Sequence, residues 1–552
     1  MKIRIVTTRS KAKAVQIVRY QNYKRVVLRH IGSAHSQEAL DELLLLAEEW
    51  IKDYKNQLSI FPDEHPNNLL HLNHSTFVGV KYGFFSRQIY AIQDSIGLGS
   101  LPALLNDLVA IRIFEPASKF RSLELLEQFF GIKHSRKTYY KIAPNCIEFK
   151  EMVQQKVIAF AKACYAFNYD LLFYDVTTLY FETFEEDGLR RNGFSKDNKS
   201  QQPQILIALM VSKEGFPVAY DIFPGNTFEG HTFIPFVKAF IEKNRVKDFT
   251  IVADAAMISS ENIKQLIQNR INYIVAARLG NLSGTQLDII CNTLQREDGK
   301  SIRIKTDMGY LICGYSSVRY RKDKHEMEKQ IEKANQVIEK PSRNKNVKFT
   351  QSEGTKIMLN QTLIEKTKKL LGIKGYYTDI EESIVDNATI IERYHELYRI
   401  EQAFRISKRD LQTRPIFHFK EQPIKLHLLI CFMALVISKH IELKTGISIR
   451  KFIDESKKVV EGEILNHATQ KIVTIKAKPS PKMIEMTNRI FSPHLKGQVR
   501  KDCLMLLIFL RKVQAYRRQG FGLIINQLLE HIKRALTEKS VKAFLYGPDK
   551  RW

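Results

Sequence analysis

LLFYDVTTLYFE (residues 171–182) is the stretch on which the reading of this chain turns. Four apolar residues lead to Asp175; a threonine pair, Thr177 and Thr178, follows, then a second apolar run ending at Glu182. Aromatic and β-branched residues in such a run predict a strand. A carboxylate in its middle is costly to desolvate unless something pairs with it. What pairs with Asp175 therefore decides what the strand is for.

The signals around it alternate. QILIALMVS and FPVAYDIF read as strands either side of a turn at Lys213–Gly215, and HTFIPFVKAFIEKN as a helix. DFTIVADAAM reads as a strand ending in Asp254, SSENIKQLIQNR as a serine-capped helix, and NYIVAAR as another strand. Three strands, then helix, strand, helix, strand predict a mixed sheet with helices packed on its faces. Residues 281–372 interrupt that rhythm with strand-like segments and the highly charged helix KHEMEKQIEKANQVIEK. GIKGYYTDI resumes the sheet. Residues 388–411, ATIIERYHELYRIEQAFRISKRDL, then read as one long helix, closed by Arg414-Pro415.

With 552 residues the chain is too long for one core. The boundaries predicted are a basic β-hairpin (1–35), a helical, DNA-binding region (36–150), a first catalytic part (151–280), the insertion (281–372), a second catalytic part (373–445) and a basic, mostly helical end (446–552). The hairpin turns around Gln21-Asn22, and residues 1–35 hold nine Lys and Arg with no acidic residue. The last region carries 22 Lys and Arg against 9 Asp and Glu, densest in RKVQAYRRQG. Over the whole chain 86 Lys and Arg outnumber 59 Asp and Glu by 27, which points to a polyanion, nucleic acid first, as partner. Six scattered cysteines without a Cys-x-x-Cys exclude a zinc ribbon and fit a reducing cytoplasm. The start, MKIRIVTTRSKAKAV, is basic and lacks the apolar region of a signal peptide, and LLICFMALVI (residues 428–437) reads as a buried helix, so no membrane is expected.

Asp254, at a predicted strand end, is the first candidate to sit beside Asp175, since strand ends are where α/β sheets expose chemistry. Two neighbouring carboxylates repel unless a cation lies between them, and hard oxygen donors select Mg²⁺ or Mn²⁺. Two such ions, with a third carboxylate, are the apparatus of phosphoryl transfer. Glu401 on the long helix can supply it. Tyr394, Glu401 and Lys408 are spaced seven apart, close to two turns, and so share a face. Lys408 can then hold a phosphate, and Tyr394 can stack on a base or meet a phosphate. The plain alternative is that Glu401 and Arg405 form an i,i+4 ion pair, Tyr394 packs on the sheet and Lys408 is solvated.

These residues resemble the DDE transposases of bacterial insertion sequences, in the "insertion sequence four" superfamily. Asp175 in FYDVTTLYFE and Asp254 in VADAAM match its two aspartates. Tyr394, Glu401 and Lys408 fall in register with a signature of Tyr, Arg, Glu and Lys, whose Arg position is Leu397 here; Arg393 or Arg405 could substitute. FPGNTFEGHTF and KRDLQTRPIFH are also family-like. Asn226 and Glu229 receive no catalytic role, and Arg414 is a DNA-contact candidate. The resemblance implies an RNase H-like fold with a mainly β insertion, flanked by mainly helical basic domains. It further implies two Mg²⁺ or Mn²⁺ ions, with Asp175 bridging both and Asp254 and Glu401 holding one each. Its implied partners are the element's terminal inverted repeats and target DNA, with a homodimer or higher oligomer in the DNA complex. A DNA-binding protein without activity, and a structure-specific nuclease, are the competing classes.

Overall fold

The computed structural model describes residues 1–492 except 22–23, 55–74, 195–200, 247–248, 258, 340–346, 354–355 and 468–469. Asn22 of the predicted turn and RKVQAYRRQG lie outside the described residues.

Eight strands form the central sheet: β1 (Leu171–Tyr180), β2 (Gln204–Ser212), β3 (Pro217–Pro224), β4 (Thr250–Ala253), β5 (Asn272–Ala277), β6 (Ser301–Thr306), β7 (Gly309–Tyr315) and β8 (Ile373–Thr378). Their order is β6-β7-β8-β5-β4-β1-β2-β3. β1, β2 and β3 are an antiparallel meander, while β4 pairs parallel with β1, and β5 with β4. That is the mixed, RNase H-like arrangement expected.

β2 is buried along its whole length, as a strand covered on both faces must be. β1 changes character at Asp175: the four residues before it are buried, and beyond it Asp175 and Thr177 share one half-buried face. After β3 the chain turns at Pro224-Gly225-Asn226. A Cβ on Gly225 would lie 2.0 Å from the Gln204 carbonyl oxygen, so only glycine fits that crossing. The helix Glu421–Thr445 has the composition and length of a membrane span, yet it is sunk in the same core as the sheet. Helices between residues 83 and 165 join that core, so the helical region and the catalytic sheet fold as one body.

Several expectations change. The N-terminal hairpin gains a third strand, Lys2–Thr7, and the helix Gln37–Tyr54 covers it. The region from 36 to 150 includes the strand Ser75–Lys81, which pairs with Glu461–Asn466 from the far end of the chain. The region from 446 is therefore not simply helical: it holds the hairpin Glu461–Asn466 and Lys471–Lys476 between two helices. Among its described residues the insertion is not mainly β. Its helices of 10, 23 and 9 residues outweigh its strands of 6, 7, 4 and 4. β6 and β7 also extend the central sheet through β8 instead of folding apart. The single long helix is two, Asn387–His395 and Tyr398–Arg405, followed by a wider last turn at Ile406–Asp410. The break is tight: the amides of Leu397, Arg399 and Ile400 each reach back three residues, to Tyr394, Glu396 and Leu397.

Candidate active site

The register of β1 against β4 builds the site. Their last parallel pair is Tyr174 with Ala253, so Asp175 and Asp254 follow side by side at the C-terminal edge of β4. Asp175, Asp254 and Glu401 line one cleft of about 320 Å³. Glu401 comes to it from the helix Tyr398–Arg405. Asp175 also has a partner within its own strand. Asp175 is half-buried at this cleft, and its Oδ1 accepts the Val176 amide at 2.8 Å.

The Tyr394 hydroxyl donates to Asp254 Oδ1 at 3.2 Å. Burial, then the charge of Asp254, pushes the Tyr394 phenol far above its ordinary range, so it remains a donor. Its ring is buried, 4.8 Å from that of Tyr376 and with Lys374 Nζ 4.4 Å from its centre. Base stacking by Tyr394 is therefore corrected to a positioning role on Asp254, because no ring face is open. Lys408 donates to Thr177 Oγ1, which shares the Asp175 face of β1. Arg405 is exposed and forms no ion pair with Glu401 among the described residues, so the plain i,i+4 pairing does not hold. Arg414 lies over the Tyr180 ring at 5.4 Å, at the end of β1.

Three lining residues escaped the sequence reading: Lys374, His395 and Tyr398. Leu397, at the helix break, brings an apolar wall where the signature implies a cation. The cation comes instead from β8, as Lys374. Its ammonium is pushed below the ordinary lysine range by burial, then by Arg319, against the pull of Asp254 and Glu401. The His395 imidazole is likewise lowered by burial, then by Lys374 and Arg319, and its Nε2 shares a 3.1 Å hydrogen bond with Tyr376 Oη. A lone lysine in the strand IKGYYT was the available signal; strands disfavour lysine unless it has a task.

A divalent cation fits the site in donor chemistry: three carboxylates, all hard oxygen donors, around one open space. Among the described residues no three His, Cys, Asp or Glu side chains converge closely enough to hold an ion directly. The triad thus encloses a space that ions would share with water and substrate oxygens.

An RNase H-like sheet with adjacent aspartates and a helix-borne glutamate defines a phosphoryl-transfer class of protein. Residues 166–437 match the family model of the transposase DDE domain, about half of the chain. Through this domain the chain belongs to the DDE transposases. No curated protein matches it. Among solved structures, a cryo-EM structure of the piggyBac transposase synaptic complex with hairpin DNA is similar, at 12% identity and a TM-score of 0.34, covering 85% of this chain and 82% of that one.

Proposed function

We propose that this transposase binds the terminal inverted repeats of its own insertion sequence, cuts the DNA there and joins the freed end to target DNA. The observation that carries the reading is the β1–β4 register, which sets Asp175 beside Asp254 in the cleft that Glu401 also lines. Water attacks the phosphodiester at the element end; the phosphorus–oxygen bond breaks and a 3′-OH is released. That 3′-OH attacks a target phosphodiester, so one phosphodiester replaces another and no covalent enzyme intermediate or ATP is needed.

Asp175, Asp254 and Glu401 would hold two Mg²⁺ or Mn²⁺ ions. When bound, these would activate the attacking oxygen and stabilise the leaving one. The chain's other residues orient this set. Tyr394 fixes the Asp254 carboxylate by its hydrogen bond, as groups behind a metal ligand do. Lys408 is held beside Asp175 through Thr177 and is suited to a phosphate oxygen. Arg405 and Arg414 are further DNA contacts, and pairing of two element ends would need at least a homodimer.

The test is cleavage of labelled DNA carrying the native element ends, with Mg²⁺ or with EDTA, by wild type and Glu401→Gln. Metal-dependent cutting at the ends, lost in the variant, is the expected result. Binding without cutting in any metal would favour the inactive DNA-binding protein, the reading to which Leu397 lends some weight. Cutting without joining would favour the nuclease.

A further inference from the structure

We infer that a second cavity, opening beside the catalytic cleft and bordered by Lys374, Arg319 and Lys300, is a subsite for a backbone phosphate of the bound DNA strand. This rests on the DNA-cleaving reading above and gives the insertion a task within it. The cavity encloses about 490 Å³ and shares Lys374 and His395 with the cleft. Lys300 stands just before β6, and Arg319 lies in the first turn of the helix Ser317–Glu339. Two of the three cations thus belong to the insertion, and the third to the strand where the sheet resumes. One acid, Glu392, lines the same space.

Lys374 is the reason to expect an anion there. It is half-buried and makes no ion pair or hydrogen bond among the described residues. Its ammonium sits over two rings, 4.4 Å from the centre of Tyr394 and 5.5 Å from that of Tyr376. Ring faces stabilise a cation, but they leave its three N–H donors largely unspent. Arg319 adds like-charge repulsion. The Arg319 Nε is 3.3 Å from Asp323 Oδ2, which aims the guanidinium and leaves its terminal nitrogens for a ligand. A phosphate would accept from both residues and relieve their repulsion. Because Lys374 and His395 face both spaces, a strand whose reacting bond lies at the triad continues into this cavity.

The experiment uses the full chain carrying Glu401→Gln, so that element-end duplex is bound and not cut. Single phosphates around the cleavage position are replaced in turn by neutral methylphosphonates. At one position the neutral linkage weakens binding about tenfold. Lys374→Gln weakens binding to unmodified duplex by the same factor, and the two changes together do no more than either alone. The salt dependence of binding falls by about one ion in Lys374→Gln. Lys300→Ala and Arg319→Ala alter exposed side chains and repeat the loss in smaller measure, which separates a lost contact from a lost fold.

Additive losses, or unchanged binding in all three variants, would overturn the subsite. So would a Lys374→Gln variant that only weakens inhibition of binding by inorganic phosphate, with no coupling to any DNA position. In the chain with Glu401 intact, a Lys374→Gln variant that binds normally but cleaves only at raised Mg²⁺ would make the lysine a counter-ion of the triad and overturn it too. If the wild-type chain binds no element-end DNA, the DNA-cleaving reading fails and the subsite with it.

Discussion

Lys119 and Lys374 are both lysines taken into the folded chain, and they are held differently. Lys119 is 4% exposed and donates to His427 Nδ1 at 3.1 Å. His427 Nε2 in turn donates to the Thr413 carbonyl at 2.9 Å, which assigns the neutral ring with its proton on Nε2. Beside them Arg112 donates to the Ala117 carbonyl at 2.7 Å. Each of the three thus has a donor that ends on protein, although the buried Arg112 Nε has no hydrogen-bond partner among the described residues. Lys374 meets two rings and three open cavities instead. Burial of a basic group is thus no mark of function by itself. What matters is whether its hydrogen bonds terminate inside the fold or are left for a ligand.

The sharpest way to break that contrast is at the open end. Asp175→Asn, Asp254→Asn and Glu401→Gln should each abolish cleavage of element-end DNA while DNA binding stays largely intact. Their unfolding free energies in urea should stay within about 0.5 kcal/mol of wild type, since cleft-lining groups carry little packing. Any of the three that cleaves normally is not part of the site. At the closed end, His427→Ala strands the Lys119 amine and the Thr413 carbonyl. It should cost about 3 kcal/mol by urea unfolding. Lys374→Gln should cost less than about 1 kcal/mol. The reverse ranking would undo the comparison.

The closed cluster also has a pH signature. Burial, then Lys119 and Arg112, hold His427 well below its ordinary 6.5, and the same causes push His418 down to about 4. The unfolded chain takes up these protons first, so stability present above pH 6.5 is lost as pH falls toward about 4. Urea midpoints that do not move over that window would contradict the buried neutral pair. A smaller effect is expected from Tyr394→Phe, which removes the hydroxyl behind Asp254 and should slow cleavage about tenfold with the melting temperature unchanged. Smallest is Ser283→Ala. It deletes the capping box that Ser283 and Gln286 form at the helix Gly284–Thr293 and should cost about 1 kcal/mol without touching cleavage.

Much of the site was legible because its signals are local. Asp175 interrupts an apolar strand, Asp254 ends one, and Glu401 sits in helical periodicity with Tyr394 and Lys408. The helix break at Leu397 was not legible. A leucine with helix formers on both sides carries no stop signal, and the three-residue backbone bonds there arise from packing against the sheet. β6 and β7 read as strands, but nothing local says which sheet they join. The pairing of Ser75–Lys81 with Glu461–Asn466 spans most of the chain, and neither strand's composition names its partner.

The amino-acid sequence alone determined the class of chemistry, because carboxylates in apolar strands and a large excess of positive charge are unfavourable unless a cation and a polyanion relieve them. It also determined the element types of the catalytic core, since those follow from residue periodicity. Only the tertiary structure decided that Tyr394 serves Asp254, that Lys374 brings the cleft its cation, and that Lys119 is spoken for inside the fold. Each depends on which hydrogen-bonding groups distant strands and helices bring within reach, and that is a property of packing.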